Sequence, residues 1–478
     1  MSSAAPARPR ALEQVLTTVA ILAGLAIVVA SALSVGEASK AIVVLPLVVG
    51  AGLMLAAVGL RNFASFVIIM LILRSSLDLA KLSESSGLTE ATMLRMFDPS
   101  SIVAVLFVLM AVLWLAARCA SEGRVPGSPL RAALLVFLAA GAVSVLGSTR
   151  PLAGIFEVVR IASAVLMFVV VEQLASNPAW RRQIVLAVYA SALFPLAFSV
   201  VGLLTGTARM EPKGEIMRLE GTFVQSNDFG RYLMLLVIMG VALYPHLERR
   251  LQRPLSMLLV ACSGCLLLTY TLSATIGTVV GLLVVGLVQS RRVLAGLLAV
   301  SVLALVLLPS LTGRLGEIAH VDDSDKNSSL DWRVAYWVQV LPLANTNPLS
   351  GIGLGQTQYM TEQEKQPHND FVRAYVETGL IGLVAYACML FWLMRTAWRA
   401  VKDTAVSARR RSSLDRGLAV GFLGCVTAFL AASLVANLFS GVVVLWYFFA
   451  FAAAASVGAA AGATPGEEQF EPVVQDVE

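Results

Sequence analysis

Runs of about 18 to 24 apolar residues recur along most of this 478-residue chain. Each is long enough to cross a hydrocarbon core of roughly 30 Å as a helix. Inside lipid the backbone must satisfy its own polar groups, so such a chain folds as a bundle of spanning helices rather than around a soluble core. The composition agrees, with 58% hydrophobic and only 14% charged residues and a mean hydropathy of +0.81, where soluble domains carry about 25% charged residues. The expected fold is all-α and polytopic, with 12–14 transmembrane helices and one large external loop. The runs place spans near 13–33, 41–60, 63–80, 101–118, 130–147, 152–174, 183–205, 227–245, 254–272, 274–290, 293–311, 376–396, 417–436 and 440–462. This predicts an N-terminal helical bundle over 1–311, an external loop with short helices over 312–372, C-terminal spans over 373–463, and an acidic, disordered tail over 464–478.

Lys and Arg collect on cytoplasmic loops, and their distribution orients the bundle. With both termini in the cytoplasm, twenty fall on the inner segments, among them Arg249, Arg250, Arg253, Arg409, Arg410 and Arg411. Eleven fall on the outer segments, and Arg74, Arg160, Arg231 and Arg373 lie in spans or at their edges. The net charge of +5 thus reflects membrane topology and does not argue for nucleic acid. The bilayer is the first partner this sequence implies. Cys119, Cys262, Cys265, Cys388 and Cys425 lie in or beside apolar runs and read as small core side chains. The Cys262–Cys265 spacing falls inside a span with no further ligand close by, so no metal site is expected. Arg8 and Arg10 precede the first apolar run, and Ala30-Ser31-Ala32 has the form of a cleavage site. The length of that run favours a first spanning helix over a cleaved signal.

On this orientation two outer loops hold most of the polar chemistry. The first, 206–226, contains Arg209, Glu211, Lys213, Glu215, Arg218 and Glu220, followed by Gly221-Thr222-Phe223 and Asn227-Asp228. The second, 312–372, ends in Pro367-His368-Asn369-Asp370-Phe371 and runs on to Glu377-Thr378-Gly379-Leu380. Only His246, His320 and His368 exist in the chain, and His368 alone lies in a dense polar cluster. An imidazole can take a proton near neutral pH, which makes His368 a candidate general base. The plainer role is that of a helix-start residue, with Asn369 or Asp370 capping the helix that follows. The outer arginines, Arg209, Arg218, Arg231, Arg314, Arg333 and Arg373, have the planar fork suited to phosphate oxygens, although each also fits headgroup binding. Residues 329–341 place Leu330, Val334, Trp337 and Leu341 at helical spacing, as a surface helix would. Glu157 and Arg160 form an i, i+3 pair at membrane depth, and Arg74 and Asp78 an i, i+4 pair. Gly351-Ile352-Gly353-Leu354-Gly355 follows no strand and lacks nucleotide-loop spacing, and reads as a tight backbone turn. Asp322-Asp323-Ser324-Asp325 reads as a solvated loop.

These residues together resemble the O-antigen ligase and O-antigen polymerase superfamily of bacterial envelope enzymes. The resemblance rests on Arg218 through Gly221-Thr222-Phe223 to Asn227, on Arg333, Trp337, Asn347-Pro348-Leu349 and the glycine run, and on Pro367-His368-Asn369 with Glu377-Thr378-Gly379-Leu380-Ile381-Gly382. It implies a GT-C-like glycosyltransferase of the bacterial inner membrane. Such an enzyme takes a glycan from undecaprenyl diphosphate at the periplasmic face and joins it to an acceptor sugar hydroxyl, with no cofactor and no metal. By analogy His368 is the base and Arg218 binds the diphosphate. Asn227, Asn369, Asp370 and Glu377 support the site, and flippase and chain-length regulator partners would accompany it. One departure stands out. Many relatives carry an arginine after the serine between the two middle spans, where this chain reads Ser273-Ala274. Arg314, Arg333 or Arg373 is then expected to substitute. The long outer loop favours a polymerase over a ligase. The rival readings are a transporter of lipid-linked glycan, which should show broken helices in matching halves, and an inactive assembly scaffold.

Overall fold

The structure is a computed structural model that describes residues 52, 54–80, 99–123, 127–213, 216–296, 298–299, 330–406 and 413–460. The predicted span 13–33, most of 41–60 and of 293–311, the loop through Arg314 and Asp322–Asp325, and the tail from 464 lie outside those residues. Helix dominates the remainder. In chain order the helices are α1 (Phe63–Arg74), α2 (Pro99–Glu122), α3 (Pro129–Ser144), α4 (Pro151–Leu174), α5 (Pro178–Ala190), α6 (Leu193–Thr205), α7 (Ser226–Leu243), α8 (Arg249–Leu268), α9 (Leu272–Val288), α10 (Leu330–Val340), α11 (Asp370–Val406), α12 (Ser413–Ser433) and α13 (Val442–Ala460). Eight segments among the described residues are long and apolar enough to cross a membrane, and α1, α9 and α13 supply shorter apolar helices. The protein is an all-α, multi-pass membrane protein. Among the described residues the one departure is a small antiparallel hairpin, β1 (Met210–Lys213) and β2 (Ile216–Leu219), inside the outer loop predicted at 206–226.

Several helix starts follow from local chemistry. Asn62, Ser128 and Asn177 each accept a backbone N–H of the first turn, and Pro129, Pro151 and Pro178 occupy first-turn positions where no N–H is missed. α13 is apolar on every side, and such a helix is buried. Trp446, Tyr447, Phe448 and Phe449 are all fully enclosed. The two polar tips among them find partners, Trp446 Nε1 donating to Ser163 Oγ (2.9 Å) and Tyr447 OH to the Leu71 carbonyl (2.8 Å). α7 and α12 are the other heavily buried spans. α9 packs against both through small residues, as spanning helices do where dispersion contacts drive association.

The two ends of the bundle are chemically distinct. At one end Arg181 pairs with Asp415 (2.9 Å), Arg131 with Glu172 (2.7 Å) and Arg182 with Glu248 (3.4 Å). These residues come from loops that the charge distribution groups together on one side. The opposite end carries the hairpin, α10 and the connection 341–369, which join segments predicted for the other side.

α11 is longer than its predicted span and is broken. Gly379 sits at φ 65°, ψ −166°, a region open essentially only to glycine. The backbone of 348–353 lies in the break. Leu380 N donates to the Pro348 carbonyl (2.9 Å), Ile381 N to Leu349 (3.2 Å), Ile352 N to Val376 (3.0 Å) and Gly353 N to Glu377 (3.0 Å). A Cβ on Gly379 would meet the Leu349 carbonyl at 2.3 Å, and one on Gly351 the Glu377 carbonyl at 2.5 Å. The glycine run is therefore more than a tight turn. It brings backbone against backbone so that the opened helix keeps its hydrogen bonds at membrane depth.

Candidate functional site

His368 stands at the end of the connection, just before α11. Its φ of +53° is unusual for a residue with a side chain and turns the chain sharply into the helix. Asn369 is the cap: its Oδ1 accepts from Phe371 N (2.9 Å) and Val372 N (3.1 Å), while its Nδ2 donates to the Leu434 carbonyl (3.0 Å). Asp370 does other work, as its carboxylate accepts the Leu438 N–H (3.0 and 3.1 Å). The segment before His368 is held by α10. Trp337 Nε1 donates to the Pro367 carbonyl (2.6 Å), Tyr336 OH to the Lys365 carbonyl (2.5 Å), and Trp332 meets the imidazole edge-on with ring centroids 6.3 Å apart.

The face of α10 differs from the expected one. Tyr336 and Val340 are buried against Ile352 and Val376, while Val334, Val338 and Leu341 are left exposed. The helix grips the connection with its aromatic side and presents an aliphatic stripe outward, and this stripe shares only Val334 and Leu341 with the predicted set.

His368 is half-buried, and no hydrogen bond to its ring is present among the described residues. Burial and the positive charges of Arg333, Arg231, Lys213 and Lys365 push its pKa down from 6.5 to about 3. Both effects disfavour the imidazolium, so at neutral pH the ring is uncharged and keeps a free lone pair. Four cations from four separate parts of the chain thus act on one neutral imidazole, an arrangement suited to a polyanion beside a proton acceptor. Two of them converge with Asn369 on a single turn between α12 and α13. Arg333 Nη1 donates to the Val435 carbonyl (3.0 Å), and Arg231 Nη1 to the Asn437 carbonyl (3.4 Å) and Asp228 (3.2 Å).

The other residues singled out from the sequence are placed differently. Arg218 is buried on β2. Its Nε donates to the Thr269 carbonyl (3.0 Å) and its Nη2 to Asn227 Oδ1 (2.6 Å) and Thr271 Oγ1 (3.1 Å), while Glu211 lies 3.7 Å from Nη1. Arg218 and Asn227 thereby tie the hairpin and the start of α7 to the turn between α8 and α9. Arg373 is committed elsewhere. Its three nitrogens reach Glu377 (2.9 Å), Ser440 Oγ (2.8 Å) and Glu157 (2.8 Å). Glu157 also pairs with Arg160 (2.9 Å), so the predicted local pair is part of a larger network. Glu377 also accepts Gly355 N (2.8 Å) and Thr357 Oγ1 (2.9 Å), which anchors the glycine run. Arg373 and Glu377 thus tie α11 to α4, to Ser440 and to the glycine run. Arg314 is outside the described residues. Among those described, no group of three His, Cys, Asp or Glu is placed to hold a metal.

Two comparisons bear on this arrangement. Residues 255–387 match a family model described as O-Antigen ligase. That range holds the α8–α9 turn, α10, the glycine run, His368 and the break in α11. The chain is also 25% identical over 240 residues to the exopolysaccharide production protein ExoQ of Rhizobium meliloti (strain 1021), a match covering 44% of this chain and 53% of that protein. The chain thus spans about half the length of that curated relative. Both matches support the resemblance of this membrane protein to the O-antigen ligase and polymerase superfamily, which the motifs around Arg218, the glycine run and His368 carry.

Proposed function

We propose that this protein is a membrane glycosyltransferase that moves a glycan from undecaprenyl diphosphate onto an acceptor sugar hydroxyl, acting as an exopolysaccharide or O-antigen polymerase or ligase. The observation that carries this reading is the neutral His368 imidazole set among Arg333, Arg231, Lys213 and Lys365. In the reaction the acceptor hydroxyl gives its proton to the imidazole and its oxygen bonds to the anomeric carbon. As that bond forms, the anomeric carbon–oxygen bond to the diphosphate breaks, and the diphosphate leaves with the electron pair and its added charge. The leaving group is already good, so one base, positioning and charge neutralisation are enough.

Arg333 and the two lysines meet the diphosphate directly, and Arg218 adds its charge from the turn between α8 and α9. Arg373, Glu377, Asn369 and Asp370 keep the base and the connection in place. The site faces the periplasmic side of the bacterial inner membrane, and both termini are cytoplasmic. The donor lipid enters beside the aliphatic stripe of α10. A flippase that delivers the donor and a chain-length regulator are the partners this role calls for.

The likeness to an exopolysaccharide production protein favours the polymerase. The test is to reconstitute the purified protein in liposomes with extracted undecaprenyl-diphosphate-linked glycan and no added metal. A ladder of longer lipid-linked glycans is the expected result. A single transfer to a supplied glycolipid core would make the protein a ligase. Movement of intact donor across the bilayer with no new glycosidic bond would make it a transporter.

A further inference from the structure

The turn between α8 and α9 lacks the arginine that the resemblance leads one to expect at position 274. Ala274 is fully enclosed, so nothing in its own side chain can reach a phosphate. What faces it comes from the way α7 and α9 pack. A Cβ on Gly277 would lie 2.5 Å from Met234 Sδ, and one on Gly281 would lie 2.5 Å from Ile238 Cδ1. Both pairs keep the same offset of 43 residues and ascend together, so α7 and α9 run parallel in fixed register. Extended one turn toward their starts, that register sets Ala274 level with Arg231. Before Leu272 the chain is no longer helical and the offset changes, but the turn stays against α7 next to Arg231: a Cβ on Gly230 would lie 2.8 Å from Thr269 Oγ1 and 2.9 Å from Thr271 Cβ.

Arg231 is also incompletely used by the protein. Its side chain is only 7% exposed. Nη1 is held by Asp228 and the Asn437 carbonyl, yet Nε is buried with no hydrogen-bond partner. A buried guanidinium nitrogen without an acceptor is costly unless a ligand supplies one. The same guanidinium acts on His368, so an acceptor bound to it lies within electrostatic reach of the base. The alternatives are weaker: Arg373 is committed to Glu157, Glu377 and Ser440, and Arg218 is committed to the turn itself.

We propose that Arg231 is a donor-binding residue that supplies from α7, at the same depth, the diphosphate contact missing at Ala274 of α9. This rests on the glycosyltransferase reading above and adds to it a position exchange between facing helices. An arginine on either helix would present its fork to one phosphate site, and the alanine opposite makes room for it.

The exchange can be made by mutation. Purified protein in detergent is titrated with undecaprenyl diphosphate, with undecaprenol as the uncharged control. Wild type should prefer the diphosphate. Arg231→Gln should lose about 10- to 100-fold of that affinity, the range for a charged hydrogen bond, with undecaprenol binding unchanged. The exchanged pair Arg231→Ala with Ala274→Arg should recover affinity to within about threefold of wild type, a recovery that a merely structural role for Arg231 does not provide. A folded Arg231→Gln protein with wild-type diphosphate affinity would overturn the inference and leave the wider reading intact. If Arg231→Gln does not fold, the exchanged pair decides: recovered preference supports the exchange, and a folded pair without preference overturns it. A wild type that binds the two lipids equally would overturn the diphosphate reading itself, and this inference with it.

Discussion

At His368 the physics of one side chain sets the behaviour of the site. A solvated histidine used as a base would lose activity as pH falls through 6.5. Here the free protein holds the imidazole at about 3, so kcat/KM should stay level from pH 7 down to 5 in a transfer assay. A bound diphosphate offsets Arg333, Arg231, Lys213 and Lys365 and raises the imidazole's basicity. The acid limb of kcat should therefore lie at higher pH than that of kcat/KM. An inflection of kcat/KM near 6.5 would contradict this environment. The same depression has a stability consequence. The unfolded chain takes up this proton below about 6.5 and the folded one only near 3, so the group's contribution is whole above 6.5 and is lost as pH falls toward 3. His368 is legible in the sequence as a candidate because the chain has only three histidines and a polar cluster surrounds one of them. The roles of the arginines are not, because a guanidinium's partners lie far away in sequence. Arg373 spends itself on Glu157, 216 positions away, and Arg231 read as one edge residue among several.

At the scale of elements, the site depends on a helix that is opened and repaired. The carbonyls and N–H groups freed at Gly379 are taken up by 348–353, and Glu377 in the same break fixes Gly355 and Thr357. Gly379→Ala would place a Cβ against the Leu349 carbonyl in a glycine-only conformation. It should cost about 3 kcal/mol or more, seen as a lower melting temperature and a poor monodisperse yield in detergent. Arg373→Ala removes the charge shared by Glu157 and Glu377 and should cost about 3–5 kcal/mol by the same thermal measurement. A wild-type melting temperature for either variant would contradict its assigned place. The pairing of the glycine run with Glu377-Thr378-Gly379 could not be read from the chain. Each half looked like local punctuation, and only tertiary contact shows that the two motifs are one structure. The hairpin at 210–219 escaped for a related reason: Glu211-Pro212-Lys213 has neither the alternation nor the β-branched residues that mark a strand, and its register is held by Arg209–Glu220 and the Arg218 anchor.

For the whole molecule, apolar length carried most of the information. The described helices follow the predicted spans closely, because no other solution satisfies twenty apolar residues in lipid. Sidedness rests on Lys and Arg distribution and can be measured. In a cysteine-free background, a cysteine at Glu362 should react with a membrane-impermeant maleimide in intact cells. One at Asp403 should react only after permeabilisation, and the reverse pattern would invert the topology. The central claim is that glycan transfer runs through the imidazole of His368 within its cationic surround. The most direct test compares wild type with His368→Ala in the reconstituted transfer reaction, with both proteins matched for melting temperature and donor binding. The account predicts glycan product from wild type and a loss of about 10²- to 10⁴-fold in the variant, with donor still bound. Equal product from the two folded proteins would remove His368 from the chemistry and contradict the account.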